Sequence, residues 1–360
     1  PRQMEDEDTV AAQLAREKDK VLYLLSQRLR FQSLEETGWM QNGCASRKRF
    51  GYSSEQNLYI CSFVCVYVCL FMLCCVWQVD AFIADVGEEM FATSVAGREQ
   101  LRPVWMLRFL IGFKWKPKEC AEKFKAMLKY RAAFGCDAIR ARFEAGELPQ
   151  SSWPSKFPGY REHHEGYTCS FDLCSGRTKT EDPISIERTP KFDFEKLFAI
   201  DPNTQDDYLT HALEYHFFLL DQIYLKTGKL AGYVKIFDLD GSRMKQVSIL
   251  NQWRKHSAKQ AERHGCSILE CYPECYAKIL IVNAPSFFAI AWKIIKPFVP
   301  PRTADKVKVE SNSNKGKEAM LEGIESHVLP AFLGGEYTGE WRMLPEVAGA
   351  GAGAGLDEEG

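Results

Sequence analysis

The chain has 360 residues, enough for one α/β domain with helical extensions. Its formal net charge of -2 excludes a general electrostatic attraction to nucleic acid, so any basic site must be local. Thirteen cysteines could suggest a disulfide framework, but five of them lie inside one apolar run. The opening stretch Met4–Asp8 is acidic and no apolar signal segment follows it. We therefore expect free thiols in a reducing, cytoplasmic setting.

The first part of the chain combines a polar segment with an unusually apolar one. Thr9–Leu34 has apolar residues at helical spacing and predicts an amphipathic helix, and the polar stretch Thr37–Ser54 predicts a linker. Asn57–Val79 then contains no charged residue and is long enough to cross a bilayer as a helix.

Three interpretations of this apolar run remain open. A transmembrane helix, flanked by the basic Arg47–Arg49, would carry the thiol-rich C-terminal part across the membrane, which conflicts with a reducing setting. The β-branched and aromatic content also suits a buried or interfacial hairpin. The third interpretation is a segment foreign to the fold, such as a wrongly joined exon.

From Gln100 onward the pattern becomes regular. Leu101–Ile111 and Pro117–Phe134 predict helices, Gly135 predicts a stop, and Gly146–Gly166 predicts a connection. Short apolar runs then alternate with helical ones, which predicts a mainly parallel sheet with crossover helices. The predicted strands are Tyr167–Leu173, Ile184–Arg188, Tyr233–Leu239, Ile279–Val282 and Lys306–Glu310. The predicted helices between and after them are Thr204–Thr227, Met244–Arg263, Ser286–Lys296 and Lys315–Ser326.

These patterns predict five segments. They are an N-terminal helix with its linker (1–56), the apolar run (57–79), a helical subdomain (80–150), an α/β domain (151–340) and a tail (341–360). Ala348–Gly355 in the tail is a Gly/Ala repeat for which we expect disorder.

One motif raises the question of catalysis. Asp238-Leu239-Asp240-Gly241 follows an apolar strand and resembles the nucleophile motif of haloacid-dehalogenase phosphatases. Their metal site needs further carboxylates at a later strand end, yet only Asp305 and Asp357 follow among the aspartates, and Asp305 precedes its strand. A strand-end turn is the better interpretation. We predict no enzyme, no metal and no cofactor.

The segment Ser286–Lys296 is apolar nearly all round, which is typical of a helix that is fully buried or faces something other than water. Basic residues lie in and after it: Lys293, Lys296, Arg302, Lys306 and Lys308. Apolar surface beside cations suits the headgroup boundary of an anionic membrane. A core crossover helix is the alternative.

Glu274 and Lys306 precede two strands that could be neighbours in the sheet. A carboxylate accepts hydrogen bonds from a polyol, and an ammonium group pairs with a phosphate. The same two residues could equally form a structural ion pair, and spacing alone leaves both interpretations open.

Several segments resemble, in order, the signatures of the CRAL-TRIO lipid-binding family, in particular its phosphatidylinositol-transfer members. They are Leu107-Arg108-Phe109-Leu110, Lys118–Arg131, Pro183–Phe198, Phe237–Gly241, Tyr272–Val307 and Leu329–Gly335. The match extends from about Leu101 to Glu336. The resemblance implies a helical N-terminal part followed by a mainly parallel sheet and an apolar pocket closed by a mobile gate helix, Ser286–Lys296.

The resemblance also implies ligand-binding residues. The inositol headgroup would be held by Glu274, Thr303 and Lys306, with Arg108 contributing. The gate helix and apolar pocket would use Phe287, Phe288, Ile290, Trp292, Ile294, Ile295 and Phe298. Members that bind phosphatidylcholine have Ser and Thr where this chain has Tyr233 and Lys235, so the second ligand stays open.

The resulting hypothesis is a non-catalytic, monomeric carrier that binds phosphatidylinositol and works at an anionic membrane surface. It would be cytoplasmic and peripherally associated with membranes, or integral if residues 57–79 span the bilayer. A carrier of another lipophile, such as a tocopherol or a retinoid, is one alternative. A membrane-anchored regulatory scaffold that moves no lipid is the other.

Overall fold

The computed structural model describes residues 77–147, 156–166, 172–243, 246–299 and 301–338. The predicted N-terminal helix, its linker, the Gly/Ala tail and residues 57–76 of the apolar run lie outside the described residues. No helix within the described ranges is both long enough and apolar enough to span a membrane.

The chain divides into two compact units: Pro1–Lys129 with Tyr224–Leu230, and Tyr130–Ile223 with Ala231–Gly360. In the first, residues 77–86 are helical. They are followed by α1 (Glu88–Phe91), α2 (Arg102–Gly112) and α3 (Pro117–Ala133). The domain boundaries predicted from the sequence stay predictions.

Aromatic rings form the core of the first unit. The Phe124 ring centroid lies 5.5 Å from that of Phe82, 5.0 Å from that of Phe91 and 4.9 Å from that of Phe109. All four side chains are buried. The contacts with Phe82 and Phe109 are edge-to-face, and such contacts stabilise the core beyond the area that the rings bury, so the helices pack around Phe124.

The second unit contains the sheet. Its strands are β1 (Asp172–Arg177), β2 (Pro183–Arg188), β3 (Tyr233–Asp238), β4 (Tyr276–Val282) and β5 (Val307–Val309). The α-helices that begin beyond Ala133 are α4 (Cys136–Glu144), α5 (Tyr160–Gly166), α6 (Phe194–Ala199), α7 (Pro202–Thr227), α8 (Gln246–His264), α9 (Ile268–Cys271), α10 (Phe288–Ile295), α11 (Pro301–Ala304) and α12 (Ser313–Leu321). The strand order is β1-β2-β3-β4-β5.

Strands β2 to β5 run parallel, and β1 joins β2 antiparallel. The expected fold class, a mainly parallel sheet with crossover helices after a helical N-terminal part, is therefore confirmed. The N-terminal ends of β4 and β5 lie side by side at the same end of the sheet, because neighbouring parallel strands run in the same direction.

The two faces of the sheet carry different side chains because strand residues alternate between faces. One face packs against α12 and the chain that follows it. Its buried cluster is Ile184, Ile186, Ile236, Leu280, Val282, Met320, Ile324, Leu329 and Leu333. The opposite face carries Ile279 and Ile281, with Phe237 and Phe288 of α10 packed against them. We call this second side the α10 face.

The Asp238–Gly241 segment is a strand-end turn, as the sequence analysis favoured. The Asp240 backbone N–H donates to Asp238 Oδ1 at 3.1 Å, and the Asn283 amide donates to the same oxygen at 2.8 Å. Arg188 forms an ion pair with Asp238, Nε to Oδ2, at 3.4 Å. Gly241, at φ 85°, completes the turn in the left-handed region that glycine adopts readily.

Three element predictions need correction. Gly135, at φ 61°, does end the α3 pattern, but α4 begins directly after it and was missed. The region predicted as a connection contains α5, and β1 continues to Arg177, beyond the predicted end at Leu173; the predicted start at Tyr167 lies outside the described residues. A glycine in the left-handed conformation reverses the chain, so the same residue can end one helix and precede the next.

Several histidines in the second unit make stability depend on pH, because burial lowers the pKa of His163, His211, His216 and His256. Burial lowers the pKa of His163 to about 4, and burial together with nearby Lys235 lowers that of His216 to about 3. In the unfolded chain both would bind protons below about pH 6.5, so the unfolded state takes up more protons as the pH falls.

We therefore expect the free energy of unfolding to fall by roughly 1 kcal/mol per pH unit for each histidine below about pH 6.5. Above about pH 6.5 these histidines cause no further change in the free energy of unfolding. Urea unfolding of the full chain between pH 7 and pH 5 measures the slope. His216→Gln should reduce the slope by up to about 1 kcal/mol per pH unit, whereas Lys278→Gln, which removes only the pair with Glu322 at 3.4 Å, should leave the histidine contribution unchanged. Equal slopes in both variants would contradict the assignment.

Candidate functional site

The Tyr272-Pro273-Glu274 turn joins α9 to β4 and places the Glu274 carboxylate beside the N-terminal end of β4. Glu274 has φ 56°, a conformation that costs a non-glycine residue about 1–2 kcal/mol. Its side chain is only 4% exposed. A carboxylate this buried needs hydrogen-bond donors or cations nearby.

Two cations from the segment between α10 and β5 meet this carboxylate. Lys306 Nζ lies 3.0 Å from Glu274 Oε2 and also donates to the Tyr276 carbonyl at 2.6 Å. Arg302 Nε lies 3.3 Å from Glu274 Oε1. The Lys306 side chain is 13% exposed and that of Arg302 is 34% exposed. We call Glu274, Arg302 and Lys306 the edge cluster.

The parallel register explains why residues 32 positions apart in the chain meet. The Ile279 N–H donates to the Lys306 carbonyl at 3.0 Å, which begins the β4–β5 pairing directly after Lys306. The predicted juxtaposition of Glu274 and Lys306 is therefore observed. The three charged groups of the edge cluster together carry one net positive charge. The side chains of Arg302 and Lys306 are more exposed than that of Glu274.

The other two predicted headgroup residues are not among the ion pairs of the edge cluster. Thr303 is in α11, three residues before Lys306, and its carbonyl accepts the Lys306 N–H at 3.1 Å. Arg108 belongs to α2 of the first unit, where it is fully buried. Their roles in binding stay predictions.

The gate-helix segment Ser286–Lys296 folds as α10, Phe288–Ile295, followed by a 3-10 turn at Lys296–Phe298. The helix is not fully buried: Ala291 is buried, whereas Ile290 is 51% exposed. Phe287, Trp292, Ile294 and Ile295 are partly buried.

The inner side of α10 is aromatic. The Phe288 ring packs on the apolar cluster of the α10 face and stacks with Trp292 at a centroid distance of 6.3 Å. Lys293 and Lys296 are exposed. The side chain of Phe298 lies outside the described side chains. A helix with one packed apolar side and one exposed isoleucine is typical of an element that covers a core and also presents apolar surface.

A protein-family model matches the part of the chain that contains this site. Residues 173–335, which include β2 to β5, α10 and the edge cluster, match the model of the CRAL/TRIO domain. This stretch is therefore similar to a CRAL/TRIO domain. The resemblance seen in the sequence is thereby confirmed.

Curated relatives extend the similarity beyond the CRAL/TRIO domain. "Phosphatidylinositol/phosphatidylcholine transfer protein SFH7" of Arabidopsis thaliana is 28% identical over 65% of this chain and 39% of its own length. "Sec14 cytosolic factor" of Schizosaccharomyces pombe is 28% identical over 66% of this chain and 76% of its own length. The chain thus spans well under half the length of its Arabidopsis relative. A solved structure titled "Crystal structure of Sfh5" matches 60% of this chain and 67% of its own, with 15% identity and a TM-score of 0.43.

A buried network fixes the turn that carries Glu274. The Tyr272 hydroxyl donates to Glu214 Oε1 at 2.5 Å. Arg131 donates to both oxygens of Glu214, Nη1 to Oε1 at 2.5 Å and Nη2 to Oε2 at 3.1 Å, and also contacts Asp137 at 2.7 Å. We call Arg131, Glu214 and Tyr272 the anchor network. Because it holds Tyr272, it restricts where Glu274 can lie two residues later.

Burial and charge determine the protonation of the anchor network. Burial alone would lower the pKa of the Arg131 guanidinium, but Glu214 and neighbouring groups hold that pKa well above its ordinary value. Burial, reinforced by the Glu214 carboxylate, raises the pKa of the Tyr272 hydroxyl. The arginine therefore stays charged and the tyrosine stays a donor.

Sequence reasoning missed three of these residues. Arg302 was assigned to a membrane-facing basic group, and its position four residues before Lys306 could have indicated a second cation for Glu274. Arg131 and Glu214 are separated by 83 positions, and Glu214 and Tyr272 by 58. A single sequence carries no signal for such pairs.

We expect Glu214→Gln to destabilise the protein by up to about 5 kcal/mol, because it removes the buried charge that balances Arg131 and leaves the partly exposed Asp137 as its counter-ion. Urea unfolding of the full chain measures the change. Glu119→Gln, which removes the exposed Lys116–Glu119 pair at 3.0 Å, should cost less than about 1 kcal/mol. Similar losses in both variants would show that the anchor network contributes no more than a surface ion pair.

Proposed function

We propose that this chain is a non-catalytic carrier that binds phosphatidylinositol and moves it between membranes. The observation that carries the proposal is the edge cluster, a buried carboxylate flanked by two partly exposed cations beside the apolar α10 face. The names of the relatives, which include phosphatidylinositol transfer proteins, support the same assignment.

The edge cluster has the donors and acceptors that an inositol phosphate headgroup needs. Each oxygen of Glu274 is contacted by one cation, and a carboxylate offers about four lone-pair positions, so each oxygen can accept a further hydrogen bond from an inositol hydroxyl. Lys306 and Arg302 donate to phosphate oxygens. The net positive charge of the cluster favours the anionic phosphodiester.

The α10 face suits the acyl chains. Phe237, Ile279, Ile281 and Phe288 form a continuous apolar cluster from β3 through β4 to α10. An acyl chain placed against this cluster would gain about 0.8 kcal/mol per buried methylene group. Movement of α10 away from Ile279 and Ile281 would open the path by which the chains enter.

The exposed side of α10 suits a membrane surface. Ile290 is half-exposed, and Lys293 and Lys296 are exposed on the same short segment. An apolar side chain beside two ammonium groups can enter the headgroup boundary while the cations attract anionic lipids. We therefore place the contact with the donor and acceptor membranes at α10.

We expect Glu274→Gln and Lys306→Ala each to lower phosphatidylinositol loading at least about tenfold, because each removes a charge-assisted hydrogen bond to the headgroup. Mass spectrometry of lipids that co-purify with the full chain from eukaryotic cells measures loading. Lys278→Ala is the matched control, since Lys278 forms an exposed pair with Glu322 at 3.4 Å and should leave loading unchanged.

Unfolding measurements separate the two interpretations of the edge cluster. If the chain is a phosphatidylinositol carrier, the Lys306→Ala variant should be folded but hold no phosphatidylinositol. If both edge-cluster variants unfold, or if both remain folded and load the lipid as the parent does, the cluster is a structural ion pair and the proposed function fails.

We expect Ile290→Glu to weaken binding to vesicles that contain phosphatidylserine by about tenfold or more, because a carboxylate replaces the apolar contact and repels the anionic surface. Vesicle co-sedimentation measures binding. Phe332→Glu is the control at another exposed apolar residue, 43% exposed in the turn Ala331–Leu333. Equal weakening in both variants would exclude α10 as the specific contact.

A further inference from the structure

Two cysteine side chains face each other just before the turn that carries Glu274. Cys266 lies two residues after the end of α8, and Cys271 is the last residue of α9; both are thiols in the structure. Their sulfur atoms are 3.3 Å apart. A disulfide bond is about 2.05 Å long, so the two sulfur atoms need to approach by only about 1 Å more to form one. We call Cys266 and Cys271 the thiol pair.

The chain between the two cysteines is short and already turned. It consists of four residues, and at its start the Ser267 backbone N–H donates to Glu270 Oε2 at 3.4 Å across the single turn of α9. A disulfide here would close a small loop, which constrains the unfolded chain little. A bond within the thiol pair would therefore act mainly on the folded conformation around α9.

Metal binding is the other chemistry that neighbouring thiols offer. A further thiol, Cys136, lies close by: its sulfur is 3.9 Å from the Tyr272 hydroxyl, and it contributes to the electrostatic environment of Cys271. Among the residues that the structure describes, however, no three His, Cys, Asp or Glu side chains are grouped so as to hold a metal ion. Protein metal sites use at least three such ligands, so the geometry favours a disulfide.

The two thiols differ in exposure and in acidity. Cys266 is 7% exposed and follows the exposed Gly265, whereas Cys271 is 1% exposed. The hydrogen bond with Cys266, reinforced by burial, raises the pKa of the Cys271 thiol. Cys271 therefore keeps its proton at neutral pH, and Cys266 is the thiol that a small oxidant reaches first.

The thiol pair is connected to the Glu274 turn through Tyr272. Cys271 directly precedes Tyr272, whose hydroxyl donates to Glu214 at 2.5 Å. Glu274 lies two residues further on in the left-handed conformation, at φ 56°. A strained backbone persists only where its surroundings fix it, so a displacement of Cys271 changes the position of the carboxylate relative to the two cations of the edge cluster.

We propose that the thiol pair is a redox-sensitive modification site, at which a hydroperoxide converts Cys266 and Cys271 into a disulfide that displaces the Glu274 turn. The consequence for the ligand, weaker loading of phosphatidylinositol by the oxidised protein, rests on the proposed function. The reduced protein is the form that loads the lipid.

The reaction uses one hydroperoxide for each disulfide. The Cys266 sulfur gives up its proton and attacks one peroxide oxygen; the O–O bond breaks, the departing oxygen takes up the proton, and Cys266 becomes a sulfenic acid. The Cys271 sulfur then attacks the Cys266 sulfur, the S–O bond breaks, and the departing hydroxide takes the Cys271 proton. The two thiols together lose two electrons, and hydrogen peroxide is reduced to two molecules of water.

Hydrogen peroxide added to the reduced full chain tests whether the disulfide forms. The remaining thiols are alkylated and the chain is cleaved after glutamate, which places Cys266, Cys271 and Cys275 on three different peptides because Glu270 and Glu274 separate them. We expect mass spectrometry to find the Cys266 and Cys271 peptides cross-linked, and dithiothreitol to release them. Any other pairing, or no cross-link, overturns the proposal.

Two measurements on the same samples test the displacement. Amide hydrogen exchange over Tyr272–Tyr276 should change by about fivefold on oxidation. Uptake of labelled phosphatidylinositol from phosphatidylcholine vesicles should fall about fivefold, because the displaced carboxylate loses a hydrogen bond to the headgroup. Dithiothreitol should restore both values, which a nonspecific oxidative loss of structure would not allow.

Three variants assign the effect to the thiol pair. Cys271→Ser should load the lipid and show no response to peroxide, and Cys266→Ala repeats the test from the other side if Cys271→Ser does not fold. Cys275→Ser is the matched control: it removes another buried thiol near the turn, keeps the pair, and should respond as the parent does. Equal responses in Cys271→Ser and Cys275→Ser would attribute the peroxide effect to other residues and overturn the proposal.

The two readouts separate this inference from the proposed function. A parent chain that cross-links and changes its hydrogen exchange, but takes up no phosphatidylinositol even when reduced, supports the redox site and removes the carrier function. If the reduced chain takes up phosphatidylinositol and peroxide gives no cross-link, or a cross-link that leaves uptake unchanged, the inference fails and the carrier function stands.

Discussion

The Glu214 carboxylate, wholly buried, is the constraint on which the candidate site depends. A carboxylate this deeply buried needs strong donors around it, and here Arg131 and the Tyr272 hydroxyl supply them. Tyr272 is thereby held between α7 and the start of β4. The left-handed conformation of Glu274 two residues later is strained, and strain persists only where surrounding contacts fix the chain. The anchor network provides such contacts.

The molecule thus separates two tasks that both use charged groups. In the anchor network the principal partners, Arg131 and Glu214, are both almost fully buried, which suits a permanent structural role. In the edge cluster the carboxylate is buried but Arg302 is one-third exposed. Under the proposed function, a ligand phosphate approaches the exposed cation without first breaking the contact between Glu274 and Lys306, so stability and ligand binding depend on different ion pairs.

The sequence predicts contacts that follow from the strand order and misses those that depend on packing. The contact between Glu274 and Lys306 could be predicted from the sequence, because each residue precedes a strand and neighbouring parallel strands begin at the same end of the sheet. Glu214 lies inside a long helix, and nothing in its local pattern indicates Tyr272 as its partner. The half-exposure of Ile290 was missed for a similar reason: an all-apolar segment shows no periodicity from which its solvent side could be identified.

Strand β3 shows why buried polar side chains are also hard to predict from the sequence. A lysine within Tyr233–Asp238 is typical of a strand with one solvent face, yet Lys235 is buried because the α10 face lies inside the protein. Along this face the side chains change from aliphatic on β5 and β4 to polar on β2. Both faces of β2 and β3 are therefore buried, which the polar residues Ser185 and Lys235 conceal in the sequence.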